Sequence, residues 1–530
     1  MSYLDLAAAL ARGDFHAVLN PLWSPLYVVS QALCLRLFRP SLLWKIPAAH
    51  FVNLLIFVVG LATFDYFWRA VMRLRRTLTT DHKLPEWVLW LFGYSLFAVS
   101  SLDAIKLGLV NPDLLVCVIV YLVAGIALRI SVTPSGLGPW VGLGAALAVG
   151  YFAKATFFPL AFGFFSVTYL ASGITRHNLV RMCAALLTFA VLVSPLVAAL
   201  SHAQGRLTFG ESARLNWAWY FNDVPHYRHW QGGPAGFGEP VHPTRKLLDH
   251  PELYEFGTPV IATYPPWFNP SYWYEGIAPR LNLRRQVAIF VRNAGLTLDT
   301  MLRLYPAIFC CLGALLCMTG GLEARRRLSR VWPLLLPGIT AIAMFCAVHS
   351  EPRYLGPWIV LVLTSALLVC EPQLDDSTQR TALAVLLSAV LTTAAFLGFN
   401  ALRNATTIEF ASGRSTENVQ VALALQAAGV RPGDQLALVG DGDGAYWGYL
   451  LNIRIIAEVP ASFATRPVYP AMDFWVGGVE QQARVIRTFE KLGVRAIVAE
   501  SMPSMPPPGW LRIGNTSRWV YWLQPNRPKS

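Results

Sequence analysis

The sequence predicts a polytopic α-helical membrane protein carrying a small extracytoplasmic α/β C-terminal domain. Three observations predict it. First, 55% of the 530 residues are hydrophobic and only 14% are charged, whereas soluble domains carry about 25% charged residues. Second, the apolar residues come in runs of about 20, the length at which a helix crosses a bilayer. Third, the cations cluster in short segments between those runs. The net charge of +13 therefore reads as topological, holding loops in the cytoplasm, rather than as the footprint of a nucleic-acid binder. All eight cysteines lie in or beside apolar runs. They form no disulfide framework and no ligand-spaced pair, and they read as small buried hydrophobes.

Spans are expected at 47–70, 86–104, 112–131, 138–153, 155–173, 178–200, 302–320, 331–348, 354–371 and 381–400, about ten in all. The pair 138–153 and 155–173 also reads as one long span with a re-entrant piece. Arg69, Arg73, Arg75, Arg76 and Lys83 follow the first span. Arg176 and Arg181 sit in a later loop, and Arg325, Arg326, Arg327 and Arg330 in another. Counting spans puts all three clusters on one side, which the positive-inside rule makes cytoplasmic. The other side holds isolated cations: Lys106, Lys154 and Arg353. The chain thus divides into a first extracytoplasmic segment, 1–46, a transmembrane domain, 47–400, and an extracytoplasmic α/β domain, 416–530. The transmembrane domain includes a large extracytoplasmic loop at 201–301.

Residues 3–12 are helix formers, with Arg12 in the last turn and Gly13 at the C-cap. Asn20-Pro21 breaks the chain. A second helix from Ser24 to Phe38 is expected to lie on the membrane surface, with Arg36 and Arg39 snorkelling. Arg12, Arg36, Arg39 and Lys45 precede the first span, and no signal peptide is visible. The expectation is that a first helix upstream of Met1 is missing. The alternative, that 20–38 itself spans, is opposed by Arg36 and by Ser24-Pro25.

Residues 205–300 are rich in Trp, Tyr, Pro, Gly and His, with a short helix expected at 284–298. A loop this long is rarely a mere linker. It reads either as a cover over a membrane-embedded site or as an aromatic cluster that stabilises itself. In 416–515 an amphipathic stretch, Asn418–Ala428, precedes alternating strands and helices: Leu436–Val439, Tyr446–Leu451, Ile453–Ala457, Glu480–Leu492 and Ala496–Ala499. This pattern predicts a small parallel α/β unit. The turn Gly440-Asp441-Gly442-Asp443-Gly444 lacks the order of a dinucleotide fingerprint and reads as a tight strand-to-helix turn.

Charged residues on the outer side are scarce. Asp5 and Asp14 lie in the first segment. Asp103 and Asp113 flank the second outer loop, and Lys154 sits between two short helices. Glu351 and Arg353 sit in His349-Ser350-Glu351-Pro352-Arg353-Tyr354. A carboxylate at a membrane-facing cleft can accept a proton from a hydroxyl or hold a metal. A guanidinium or ammonium can grip a phosphate leaving group. Each has a bland alternative: Asp113 as a helix cap, Lys154 as a snorkelling side chain, Glu351 and Arg353 as a structural ion pair. His226, His229 and His242 match no metal signature, so a divalent metal is conceivable but not indicated, and no cofactor is specified.

Several short segments resemble one family. Tyr3-Leu-Asp5-Leu-Ala, Gly13-Asp14 and Asn20-Pro21-Leu-Trp-Ser-Pro25-Leu-Tyr27 look like the first outer loop of GT-C glycosyltransferases. These are multispan enzymes that use polyprenyl-phosphate-linked sugars, and they include protein O-mannosyltransferases and aminoarabinose transferases. Asn111-Pro112-Asp113 looks like their second loop. Gly150-Tyr-Phe-Ala-Lys154 resembles a Gly-x-x-x-Lys stretch. Glu351-Pro-Arg353-Tyr354-Leu, with Pro357, resembles an Arg-Tyr-x-x-Pro start of a span. His242-Pro-Thr-Arg245, Thr263-Tyr264-Pro-Pro-Trp267 and Pro270-Ser-Tyr272-Trp273-Tyr-Glu275-Gly276 resemble the loop of uncharacterised bacterial relatives. The likeness covers about 1–400.

The resemblance implies a GT-C-like fold in a cell inner membrane. It implies transfer of a sugar from a polyprenyl-phosphate donor to an extracytoplasmic glycan, lipid or protein, with no nucleic-acid partner. It implies Asp5 and Asp113 as catalytic candidates and Arg353, Lys154 and Tyr354 as the donor-phosphate site. His242, Arg245, Tyr264, Trp267, Tyr272, Trp273 and Glu275 are the corresponding substrate-loop candidates. One departure stands out: the family's usual acid precedes the position matched by Tyr3, and Asp5 matches a less critical one. Two other readings remain: a transporter or flippase of a lipid-linked sugar, and a non-catalytic envelope assembly factor. Neither an internal repeat nor a mid-span charge favours transport.

Overall fold

The computed structural model describes residues 1–78, 84–133, 135–226, 229–256, 262–371, 376–461, 471–500, 502 and 507–524. Lys83 of the first cationic cluster lies outside them. The first two helices are short: α1 (Ser2–Ala11) and α2 (Pro25–Phe38). Pro25 opens α2 at its first turn, where its missing N–H leaves no helical bond unmade. The next six helices are α3 (Lys45–Leu78), α4 (Glu86–Ala98), α5 (Asp113–Val132), α6 (Leu137–Ala153), α7 (Phe157–Ser172) and α8 (Arg176–Ala203). The loop holds short turns α9 (Ser212–Asn216), α10 (Pro265–Phe268) and α11 (Pro270–Trp273). Then come α12 (Leu283–Leu304), α13 (Pro306–Met318), α14 (Gly321–Cys346), α15 (Pro352–Cys370) and α16 (Asp376–Ala427).

Seven helical segments of the described residues are long and apolar enough to cross a membrane. They match the expected spans at 47–70, 86–104, 112–131, 178–200, 331–348, 354–371 and 381–400. Helices α6 and α7, of 17 and 16 residues, are apolar but shorter, and the turn Lys154–Thr156 joins them. The expected span 302–320 coincides with a bent pair of helices that is apolar enough to cross a membrane only when taken together. Its apolar part is α13, and its first residues belong to α12, which meets α13 at 90°. Pro306 lacks the N–H that would continue α12 and pushes Tyr305 out of helical geometry (φ −125, ψ 38). Helix α12 is amphipathic and covers the helix expected at 284–298. The stretch Asn418–Ala428 is, up to Ala427, the end of α16, continuous with the last span.

Helix α4 passes directly into a π-helical segment, Val99–Ile105. Such segments are rare and cluster at functional sites. Helix α15 packs on it through Gly356, where an added Cβ would come 2.8 Å from the Ser100 hydroxyl. A glycine here lets the start of α15 approach the segment closely. The loop after it, 106–111, is fixed from α3. The buried Asn53 amide donates to the carbonyls of Leu107 (2.8 Å) and Leu109 (2.9 Å) and accepts from the Tyr27 hydroxyl (2.8 Å).

At the other end of the bundle two of the cationic clusters converge. Arg75 at the end of α3 donates through Nε to both carboxylate oxygens of Glu371 at 2.9 Å. Arg327 of α14 donates to the Glu371 carbonyl and, through Nε, to Glu323 at 2.9 Å. Glu371 caps the end of α15, a 19-residue helix. The clamp thus sits about 28 Å from the opposite end of α15, at about 1.5 Å per residue.

The C-terminal unit contains β3 (Gln435–Gly440), α17 (Tyr446–Leu451), β4 (Arg454–Pro460), α18 (Met472–Val476), α19 (Gly478–Lys491), β5 (Ala496–Ala499), β6 (Trp510–Arg512) and β7 (Trp519–Trp522). The expected strands and helices of this region are all present. The centre, β4-β3-β5, is parallel as expected, and β7 and β6 add on antiparallel. The sheet also takes two strands from the loop, β1 (Arg245–Asp249) and β2 (Glu252–Glu255). Its full order is β1-β2-β4-β3-β5-β7-β6, with β2 antiparallel to β4. Loop and C-terminal unit therefore share one sheet.

Replacing Glu371 by Ala would leave Arg75, 1% exposed, as an unpaired buried charge. The expected loss of stability is about 3–5 kcal/mol, read as a lowered melting temperature of the detergent-solubilised protein. Glu371→Gln, which still accepts a hydrogen bond, is expected to lose less.

Candidate functional site

The ends of four helical elements converge beneath the loop. They enclose a cavity of about 400 Å³, within the size range of small-molecule sites, about 300–1,000 Å³. Its membrane-side wall is charged. Lys154, in the turn between α6 and α7, donates from Nζ to Asp113 Oδ1 at 2.7 Å. Arg353, in the first turn of α15, lies 3.7 Å from Asp113 Oδ2 and donates to Glu351 Oε2 at 2.6 Å. Asp113 therefore sits between two cations from separate elements. Its side chain is 3% exposed, so water screens these contacts little. The capping expected of Asp113 is done by Asn111, whose Oδ1 accepts from the Asp113 amide at 3.0 Å. This frees the Asp113 carboxylate for the cations.

Tyr354 completes the wall. Lys154 Nζ lies 3.7 Å from the centre of its ring, a cation–π contact. Arg353 donates to its hydroxyl at 3.2 Å. On the other side of Glu351, His349 Nε2 lies 2.9 Å from Oε1, and the His349 ring stacks on Tyr220 at 3.8 Å. Burial pushes the Glu351 carboxyl up, but the His349 hydrogen bond and the Arg353 guanidinium outweigh it and hold it at about 2. Glu351 is thus a carboxylate throughout the physiological range. Its stabilising contribution is complete above the ordinary glutamate range and is lost as pH falls toward 2. Arg353 Nη1 has no partner among the described residues, and Lys154 keeps N–H groups beyond the one given to Asp113. The wall can therefore receive a further anion.

Asp5 lies in the same cavity lining, on α1. Burial pushes its carboxyl up to about 6, against the hydrogen bond from Thr263 Oγ1 at 2.8 Å. Tyr3, also on α1, is held well above the usual phenol range, first by burial and then by the Asp113 charge. The remaining wall is aromatic. The loop brings Trp219, Tyr220, His226, Tyr264 and Trp267, and the C-terminal unit brings Tyr446. Burial pushes the His226 imidazole down to about 3, so it is neutral at physiological pH.

Tyr264 links the cavity to the shared sheet. Its hydroxyl donates to Glu458 Oε1 at 2.8 Å, and the same oxygen lies 2.8 Å from His229 Nε2. Its ring fills the space over Gly442, where an added Cβ would meet it at 2.1 Å. This close approach accounts for a glycine in the 440–444 turn without any phosphate ligand.

The structure brings Asp5, Asp113, Lys154, Arg353, Tyr354, Tyr264 and Trp267 to one cavity. Trp273 lines a smaller cavity of about 30 Å³ that shares His226, Tyr264 and Trp267 with the larger one. His242, Arg245, Tyr272 and Glu275 do not line either. His242 pairs with Glu275 at 2.8 Å and stacks on Tyr272 at 4.2 Å, and Arg245 pairs with Glu255. Sequence reasoning missed Tyr220, His226, His349 and Tyr446 as wall or support residues. For His349, adjacency to Glu351 was the available signal. No cluster of three or more His, Cys, Asp or Glu poised for a metal occurs among the described residues.

No family model and no curated protein matches the chain. Among solved structures it is similar to ArnT from Cupriavidus metallidurans in the apo state. That likeness covers 98% of this chain and 92% of that chain, at 14% identity and a TM-score of 0.53. It is also similar to the Archaeoglobus fulgidus oligosaccharyltransferase tethered with an acceptor peptide, over 94% of this chain and 64% of that chain, at 13% identity and a TM-score of 0.50. The fold is GT-C-like, a multispan helical membrane unit with a small C-terminal sheet unit.

Gly442→Val is expected to displace Tyr264 and distort the cavity roof while leaving the spans inserted. Trypsin protection of the membrane helices should be unchanged, and hydrogen exchange in 262–268 should accelerate at least tenfold.

Proposed function

We propose, from a GT-C-like fold that places two cations, a shared carboxylate and an aromatic roof around one cavity, that this protein is a membrane glycosyltransferase. The donor is a sugar on a polyprenyl phosphate. The acceptor hydroxyl belongs to a lipid, glycan or protein on the side of the loop and C-terminal unit, which we take to be extracytoplasmic, at a cell inner membrane. The observation that carries the reading is the Lys154–Asp113–Arg353 arrangement in the lining of the cavity.

In the transfer, the acceptor oxygen forms a bond to the anomeric carbon, and the bond from that carbon to the phosphate oxygen breaks. The phosphate changes from a diester to a monoester and gains negative charge. Lys154 and Arg353 are placed to offset that charge as it develops. Asp113, engaged by both, orients them. Asp5 takes the acceptor proton. A carboxyl near 6 is a stronger base than an ordinary aspartate and is still mostly ionised at pH 7. The aromatic wall offers faces for a sugar ring and, with the loop, excludes water from the reacting carbon. The charges lie at helix starts rather than mid-span, which favours transfer at the membrane face over transport through it.

The test uses membranes containing the full chain and a panel of radiolabelled polyprenyl-phosphate sugars. Label should leave one donor. Arg353→Ala is expected to reduce that rate by at least 100-fold, and Arg353→Lys by less, since a lysine keeps charge without the fork geometry. No consumption of any donor by inserted wild-type protein would overturn the reading.

The pH dependence tests Asp5 separately. A folded-state value raised to about 6 means the carboxylate base is lost as pH falls through 6, so the rate should rise between pH 5 and 7 and then level. For stability the sign is opposite: the buried charge weakens the fold as pH rises from about 4 to about 6. Asp5→Asn should lower the rate, flatten that limb and not reduce the melting temperature at pH 7. A wild-type profile flat from pH 5 to 7 would remove Asp5 from the base role.

A further inference from the structure

A second cleft, of about 550 Å³, lies where α1, α2, the start of α3 and the end of α17 meet. Four cations line it, Arg12, Arg36, Arg39 and Lys45, and no Asp or Glu does. It has no lining residue in common with the central cavity. Lys45 is already engaged. Its Nζ donates to the carbonyls of Tyr449 (3.2 Å) and Leu450 (2.9 Å) and to Asn452 Oδ1 (3.0 Å). These are the open acceptors at the C-terminal end of α17, where a cation is favoured. None of the three guanidinia makes a hydrogen bond or ion pair with a described residue; only the Arg12 charge is felt by a carboxylate, that of Asp5 further along α1.

Arg39 is held there at a cost. It closes α2 in the left-handed region, φ 44, where a glycine would be the unstrained residue. The site also lies at a membrane boundary. Lys45 stands in the first turns of the span Leu42–Leu78. Leu37, Phe38, Leu43 and Trp44, beside the cations in the chain, are between 54% and 68% exposed, as expected of a segment that meets lipid. Like charges gathered in one cleft repel one another. An anion that also brings acyl chains would answer both the charge and the apolar rim.

We propose that this cleft binds the phosphate of an anionic phospholipid. Arg12, Arg36 and Arg39 hold the phosphate oxygens, and the acyl chains lie against Leu37, Phe38 and Trp44. The bound lipid ties three elements together: α1, the membrane-surface helix α2, and the C-terminal unit that Lys45 already holds through α17. Arg12 immediately follows α1, the helix that carries Tyr3 and Asp5 into the central cavity. An occupied cleft steadies that helix from its far end. The inference does not depend on the reaction proposed for the central cavity.

The experiment uses the full chain in a neutral detergent, titrated with dioleoyl phosphatidylglycerol or dioleoyl phosphatidylcholine. Native mass spectrometry counts retained lipids, and melting temperature reports stabilisation. The expected result is saturable retention of one phosphatidylglycerol per chain, with a rise in melting temperature that phosphatidylcholine does not give. Arg12→Ala/Arg39→Ala should weaken retention at least tenfold. Arg325→Ala/Arg326→Ala, which removes the same charge from two exposed arginines of α14, should leave it within twofold. If the first pair fails to fold, Arg36→Ala serves and should weaken retention at least threefold. Equal retention of both lipids, equal loss in the two double variants, or protection by inorganic phosphate without lipid retention would each overturn the proposal.

Discussion

The Asp113 carboxylate, shared by Lys154 and Arg353, is the interaction on which the membrane half of the site depends. It joins the start of α5, the turn between α6 and α7, and the start of α15. Removing such a charge from water is costly, and the cost is recovered only if partners are well placed. Here the placement is enforced from outside the trio. Asn53 fixes the loop that leads into Asp113, Gly356 lets α15 approach the π-helical segment, and Asn111 does the capping that would otherwise occupy the carboxylate. Lys154 is thus held by Asp113, and Arg353 by Glu351 with Asp113 beside it.

The opposite half of the cavity is built by a different principle. Its roof comes from chain segments far apart in sequence, joined by one sheet. Tyr264 is fixed by its ring against Gly442 and by its hydroxyl on Glu458, while Thr263 bonds Asp5 through its side chain and the Ile455 amide through its carbonyl at 2.9 Å. A perturbation of the C-terminal unit therefore reaches the cavity through Tyr264 without touching the charged wall.

Much of this was legible in the sequence. Long apolar runs gave the spans because a bilayer imposes both length and composition. The scarcity of charges on the outer side made Asp5, Asp113, Lys154 and Arg353 stand out, and all four line the cavity. The bend within the span expected at 302–320 was not legible because hydropathy averages across Tyr305-Pro306, whereas a proline decides chain direction locally. The strands Arg245–Asp249 and Glu252–Glu255 were missed because no clean apolar alternation marks them. They are strands because β4 offers an edge, and that partner lies about 200 residues away in the sequence. The loop candidates divide for a similar reason. Tyr264 and Trp267 follow the hairpin into the cavity, while His242, Tyr272 and Glu275 pair among themselves, a distinction that side-chain type alone does not carry.

The shared sheet also sets an order of events during biogenesis. Strands β1 and β2 leave the ribosome well before β4, and a two-stranded hairpin alone is marginal in water. Until residues 454–460 have been made and delivered to the same face of the membrane, the hairpin has no edge to join and Tyr264 has no Glu458. The charged wall, built from helix ends, can assemble as the spans insert. The nascent protein therefore passes through a stage with a formed floor and an open top, and its cavity is sealed only when the distant edge arrives.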